Sequence, residues 1–290
     1  MRATLQKMQG CGNNFLFIDS MNSTPIDLLG GEIRFLCDMN FGVGADGVVV
    51  LMQPTSEEAD AKWMFYNSDG SEAEMCGNAA RCAIRYLYDN YFSDGGVISL
   101  EAKVGVLSGQ VLDENLVEIT LLPDRDLEIQ YEQRVVHVDE RYFEVNCINT
   151  GVPHAVMEVK NLDTYPINKV GALIQKHPMF QPAETNVTFF QRGVGSEIKA
   201  TTYERGVEDQ TMACGTGAAA AALVYSELYL QDLPIQVQMP GGLLTVDMSP
   251  ASRMLLLQGP AEYVYKMEID SVPKEFHPPK FFGSGKDGDL

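Results

Sequence analysis

The chain has 290 residues, 45% of them hydrophobic and 21% charged, enough for two compact lobes with a substantial core. Its 40 acidic residues against 21 basic ones give a net charge of -19, a surface that repels phosphate backbones and anionic lipid, so no nucleic-acid or membrane partner is expected. No apolar run reaches the roughly 18 residues of a membrane span, the first residues lack a signal-like apolar stretch, and a cytoplasmic location is the default expectation.

In chain order, Gln9-Gly10-Cys11-Gly12-Asn13 reads as a turn ahead of a strand at 15–19. Trp63-Met64-Phe65-Tyr66-Asn67 reads as a strand, 68–72 as a polar turn, and Cys76-Gly77-Asn78-Ala79-Ala80-Arg81 as the start of a helix. That helix carries Ala80, Ala83, Ile84, Leu87 and Tyr88 on one apolar stripe, with Arg81 and Arg85 off it. Strands at 98–102 and 117–121 follow, and the boundary between two lobes is expected near Leu122-Pro123-Asp124-Arg125-Asp126.

The second half repeats this order. Asn149-Thr150-Gly151-Val152-Pro153-His154 leads into a strand at 155–159, and 186–190 is a further strand. Thr201-Thr202-Tyr203-Glu204-Arg205 leads through a polar turn to Ala213-Cys214-Gly215-Thr216-Gly217-Ala218 and a helix apolar on every side, hence buried on every side. The glycine turns at 103–105 and 240–242 also correspond. Three features in one order argue for an internal duplication. The predicted fold is α+β: two pseudo-symmetric lobes, each a curved, mostly antiparallel sheet wrapped around a central helix. Lobe one is 1–121, completed by 265–282; lobe two is 122–264; 283–290 reads as a disordered tail.

The six cysteines are widely spaced and form no CxxC pair, so reduced thiols are expected, and the four scattered histidines offer no metal cluster. Cys11, Cys37, Cys82 and Cys147 read as small buried apolar residues. Cys76 and Cys214 differ, because each opens a helix. A helix start exposes unpaired N–H groups and partial positive charge, which bind a carboxylate and lower the pKa of an adjacent thiol. Two such turns facing one substrate suit proton transfer at an α-carbon, one cysteine as thiolate taking a proton and the other as thiol returning one to the opposite face. Asn78 and Thr216 suit N-capping, a role compatible with carboxylate binding.

These motifs together resemble the diaminopimelate epimerase family of pyridoxal-phosphate-independent amino-acid racemases, over about residues 1–269. Further anchors are Gly42-Val43-Gly44-Ala45-Asp46-Gly47, Asn67-Ser68-Asp69-Gly70-Ser71-Glu72, Asn186-Val187 and Tyr203-Glu204-Arg205-Gly206. The resemblance implies interconversion of LL- and meso-diaminopimelate without a cofactor, with an amino acid as substrate, and it is compatible with a homodimer. It implies that Cys76 and Cys214 are the acid/base pair, assisted by His154 and Glu204. Gly77, Asn78, Gly215 and Thr216 would bind at the helix starts, and Asn13, Asn67, Asn186 and Arg205 would hold the distal end of the substrate. Val152 replaces an asparagine of some members, Gln210 a common glutamate near Cys214, and Asn14 a frequent aspartate. The alternatives are a racemase of another amino acid such as histidine, and a non-catalytic amino-acid-binding protein.

Overall fold

A computed structural model describes residues 3–24, 26–121, 131–138 and 140–278. The first half comprises β1 (Ala3–Gly10), β2 (Asn13–Ser20), α1 (Gly30–Cys37), β3 (Gly47–Met52), β4 (Ala61–Asn67), β5 (Glu72–Ala73), α2 (Gly77–Asn90), β6 (Ile98–Ala102), β7 (Gly105–Val111) and β8 (Leu116–Thr120). The second comprises β9 (Glu132–Val138), β10 (Arg141–Asn149), β11 (Pro153–Glu158), α3 (Ile167–Gln175), β12 (Asn186–Arg192), β13 (Glu197–Glu204), β14 (Asp209–Gln210), α4 (Gly215–Tyr229), β15 (Ile235–Met239), β16 (Gly242–Met248) and β17 (Leu255–Pro260), with β18 (Glu262–Ile269) last.

The duplication is visible in the strand pairing. From β1 through β2, β3, β4 and β6 to β7 the joins run antiparallel, parallel, antiparallel, parallel, antiparallel. From β10 through β11, β12, β13 and β15 to β16 they run in the same sequence. A parallel join needs a long crossover, usually helical. The four crossovers here carry α1, α2, α3 and α4. The sequence reading had found α2 and α4 but not α1 or α3, which are eight and nine residues long.

β8 pairs with β17, joining the halves, and β18 returns to β1. The sheets curve around α2 and α4, which share one apolar core: Ala79, Ala80, Ala83, Ile84 and Leu87 from one helix, Ala218 to Ala222 and Val224 from the other. α1 and α3 cover outer faces with separate small cores. Alanine on α4 lets strands approach it from several sides, and its residues from Gly217 to Tyr225 are all buried. Arg81 corrects the expectation for α2: although off the apolar stripe, it is fully buried. The expected lobe boundary at 122–126 and tail at 283–290 lie outside the described residues. Among those residues no helix is long and apolar enough to cross a membrane.

Candidate active site

The two Cys-Gly turns meet. A Cβ placed on Gly215 would lie 3.8 Å from Gly77 Cα and 2.9 Å from Leu257 Cδ2, and one on Gly77 would lie 3.2 Å from the same Leu257 atom. Both helix starts thus converge over one leucine, in a space that only glycine leaves open. Asn78 ties them, donating from Nδ2 to Ala213 O at 3.0 Å. The N-caps are the cysteines themselves, both in extended conformation, rather than Asn78 and Thr216. Cys214 Sγ accepts from Gly217 N at 3.3 Å. Cys76 Sγ makes no such capping hydrogen bond, although the backbone N–H groups of Asn78 and Ala79 lie close enough to favour its thiolate.

Burial overrides the helix starts. Desolvation pushes both thiols above the usual cysteine range, against the lowering by these N–H groups, and nearby Glu204 pushes each further up. The thiols therefore do not show the expected drop towards neutrality. Glu204 is raised as well, first by burial, while hydrogen bonds to Thr211 and Cys214 oppose the shift.

The thiols keep different company. Cys76 Sγ lies 3.7 Å from Asn13 Oδ1. Asn13 follows a two-residue hairpin turn in which Cys11 and Gly12 both have positive φ, 52° and 78°. Cys214 Sγ instead lies 3.4 Å from Thr216 Oγ1. His154 meets that hydroxyl through Nε2 at 3.1 Å and Thr188 Oγ1 through Nδ1 at 2.9 Å. His154 therefore reaches Cys214 through Thr216. Burial first, and Arg205 second, push the His154 imidazole down to about 3, so it is neutral at pH 7.

The remaining predicted residues lie at neighbouring strand ends. Asn186 pairs in register with His154, and its Oδ1 accepts from Arg205 N at 3.0 Å. Arg205 Nη1 donates to Ala183 O at 2.6 Å. Asn67 is exposed at the end of β4, the position that the partly buried Glu204 holds at the end of β13, and donates to Ser71 Oγ at 3.1 Å. None of these three touches a cysteine in the hydrogen-bond network. The resemblance sets Gln210 near Cys214; its side chain bonds Thr201 and Asn168.

Sequence reasoning missed Arg81, Asp46, Thr188 and Thr202 as parts of this network. Asp46 belongs to the Gly42–Gly47 motif, and its Oδ2 accepts from Asn13 Nδ2 at 2.8 Å. Thr188 and Thr202 hydroxyls bond each other at 3.0 Å behind His154; threonines on strands gave no signal of their own. Among the described residues no cluster of three His, Cys, Asp or Glu side chains is arranged to hold a metal ion.

Comparison with known proteins gives a consistent picture. The sequence model of the family described as Diaminopimelate epimerase matches residues 5–121 and 146–264. The chain is 36% identical over 280 residues to the diaminopimelate epimerase of Aquifex aeolicus (strain VF5), covering 93% of this chain and 99% of that protein. It is 36% identical over 273 residues to that of Carboxydothermus hydrogenoformans, covering 90% and 97%. A solved hydroxyproline epimerase from Agrobacterium vitis superposes with a TM-score of 0.70 at 15% identity, covering 92% of each chain, a likeness of fold.

Proposed function

The chain belongs to the diaminopimelate epimerase family, and from that premise we propose that it interconverts LL- and meso-diaminopimelate by two-thiol proton transfer at the α-carbon. The observation that carries the reading is the convergence of the two Cys-Gly helix starts over Leu257. A substrate carboxylate between them would meet N–H donors from both helices. Those donors act most strongly when α-proton removal spreads negative charge onto the carboxylate oxygens. In this reading the chain itself supplies the stabilisation that a cofactor would otherwise give.

One thiol must be deprotonated while the other keeps its proton. Because burial holds both as thiols at rest, the thiolate forms as substrate enters. Glu204, bonded to Cys214 and raised by its own burial, is placed to take that proton. The neutral His154 orients the Thr216 hydroxyl beside Cys214 and so positions that thiol. Arg205, Asn186 and Asn67 hold the non-reacting end, Arg205 offering a fork that matches a second carboxylate; Asn13, expected there as well, lies against Cys76 instead. The reaction needs free thiols, and all six cysteines are unpaired. A reducing cytoplasm is therefore the proposed setting; a homodimer is the proposed assembly.

The test is exchange in heavy water without pyridoxal phosphate. LL-diaminopimelate should gain one α-deuterium as the meso isomer appears, and histidine should not exchange. Turnover of histidine in preference to diaminopimelate would overturn the substrate. Binding without exchange would make the protein a binding module.

A further inference from the structure

Arg81 is the largest fully buried side chain among the described residues. Its hydrogen-bond partners are neutral: Gly77 O at 3.3 Å, Pro260 O at 3.3 Å, Asn78 Oδ1 at 2.8 Å and Cys11 Sγ at 3.9 Å. Burying a guanidinium costs several kcal/mol unless its hydrogens are well used. The fold makes a chamber for it. A Cβ on Gly10 would stand 3.3 Å from Arg81 Nη2, and one on Gly259 would stand 3.0 Å from Nε and 3.1 Å from Cζ. Neither glycine has positive φ, so close approach rather than backbone conformation accounts for them: a Cβ would also meet Pro260 O at 3.1 Å from Gly10 and Leu244 Cδ2 at 2.5 Å from Gly259, and the guanidinium shares the room they leave.

Hydrogen-bond polarity propagates from this chamber. A guanidinium only donates, so Asn78 must turn its Oδ1 towards Arg81 and its Nδ2 away. That Nδ2 donates to Asn13 Oδ1 at 3.1 Å and to Ala213 O at 3.0 Å. At the other end stands a carboxylate, which only accepts. Asp46 Oδ2 takes Asn13 Nδ2 at 2.8 Å, Asn14 N at 2.8 Å and Asn14 Nδ2 at 2.9 Å. The Asn13 amide is thus specified from both sides, and its carbonyl faces the Cys76 sulfur.

We propose that Arg81 and Asp46 are positioning residues, a donor-only and an acceptor-only pole that together decide which amide atom of Asn13 meets the Cys76 thiol. With the carbonyl presented, the thiol hydrogen has an acceptor and is held in one direction. A turned amide would present NH2 instead, favouring the thiolate and losing that aim. Cys214 has different company: Gly217 N donates to its sulfur at 3.3 Å, Glu204 is bonded to it, and the Thr216 hydroxyl beside it can donate or accept. The two halves of a duplicated site are in this way made unlike. The inference rests on the acid/base reading of Cys76.

The test uses the full-length protein and two readouts: kcat with KM, and iodoacetamide alkylation of Cys76 relative to Cys214, followed by mass spectrometry at one pH. Asp46 is exposed, so its variants should fold. Asp46→Ala should lower kcat about tenfold, roughly one charge-assisted hydrogen bond, and raise the Cys76-to-Cys214 alkylation ratio severalfold. Asp46→Asn, which keeps an acceptor oxygen, should return both towards the original values. Arg81→Lys, still a donor, should exceed Arg81→Met in kcat. An unchanged ratio in Asp46→Ala, no recovery in Asp46→Asn, or full activity in Arg81→Met would overturn the proposal. If Arg81→Met does not fold, the Asp46 pair decides it. Should Cys76→Ala still epimerise, the acid/base reading fails, and the alkylation ratio still judges the positioning claim.

Discussion

Cys76 and Cys214 share a backbone setting and differ in their neighbours, and the predictions at the residue scale follow from that. Replacing either thiol by alanine removes one of two protons the reaction must handle, so epimerisation should fall by about 10²–10⁴-fold or more, measured by steady-state turnover. Thr216→Val removes the hydroxyl that links His154 to the Cys214 sulfur while leaving both thiols in place. It should lower kcat by roughly tenfold, the rate equivalent of one hydrogen bond, with KM changed less. Equal activity of Thr216→Val would show that His154 has no path to Cys214. These side chains were legible in the sequence because each sits in a short motif. The intermediary role of Thr216 was not, because it depends on a 3.1 Å contact between residues 62 positions apart.

At the scale of elements, the first turns of α2 and α4 are held to their places by missing side chains. A Cβ on Gly217 would stand 2.3 Å from Thr202 Oγ1 and 3.2 Å from Cys214 Sγ. Gly217→Ala should therefore push the start of α4 off β13 and destabilise the protein by about 1–3 kcal/mol, read from denaturant unfolding. On Gly215 the nearest atom is the end of the flexible Leu257 side chain, at 2.9 Å. Gly215→Ala should cost less stability than Gly217→Ala while still lowering turnover, since it intrudes between the two helix starts. The reverse order of stabilities would contradict the packing described here. Both helices were readable from the run of alanines after each cysteine. α1 and α3 were not, because short crossovers are shaped by the parallel strands they connect more than by periodicity of their own.

On the scale of the whole molecule, the site depends on a core that runs through both halves. That core contains His154 as a neutral imidazole. Its pKa falls from about 6.5 in the unfolded chain to about 3 in the folded one, through burial first. Above pH 6.5 both states hold the neutral ring. As pH drops below that, the unfolded chain binds a proton that the folded chain refuses, so stability is lost down to about pH 3. Between pH 6 and 4 this contributes a fall of about 1.4 kcal/mol per unit. His154→Gln should lack that component, which is measurable as the difference between the two proteins' unfolding free energies across the range. Parallel pH dependence of the two would contradict a neutral buried ring.

By itself the sequence determined the α+β class, the duplicated order of strand, turn, cysteine and helix, and the pair of thiols. Each of these is written locally, in alternation, in glycine turns and in motif spacing. Only the tertiary structure decided how the copies meet: β8 pairs with β17, Gly77 faces Gly215, and Arg81 is enclosed between Gly10 and Gly259. It also decided that burial outweighs the helix starts in setting the thiols, which sequence reasoning had reversed. The physical reason is the same in each case. Desolvation and hydrogen-bond polarity depend on which distant segments exclude water from a group, and that is a property of the packed chain rather than of any stretch of it.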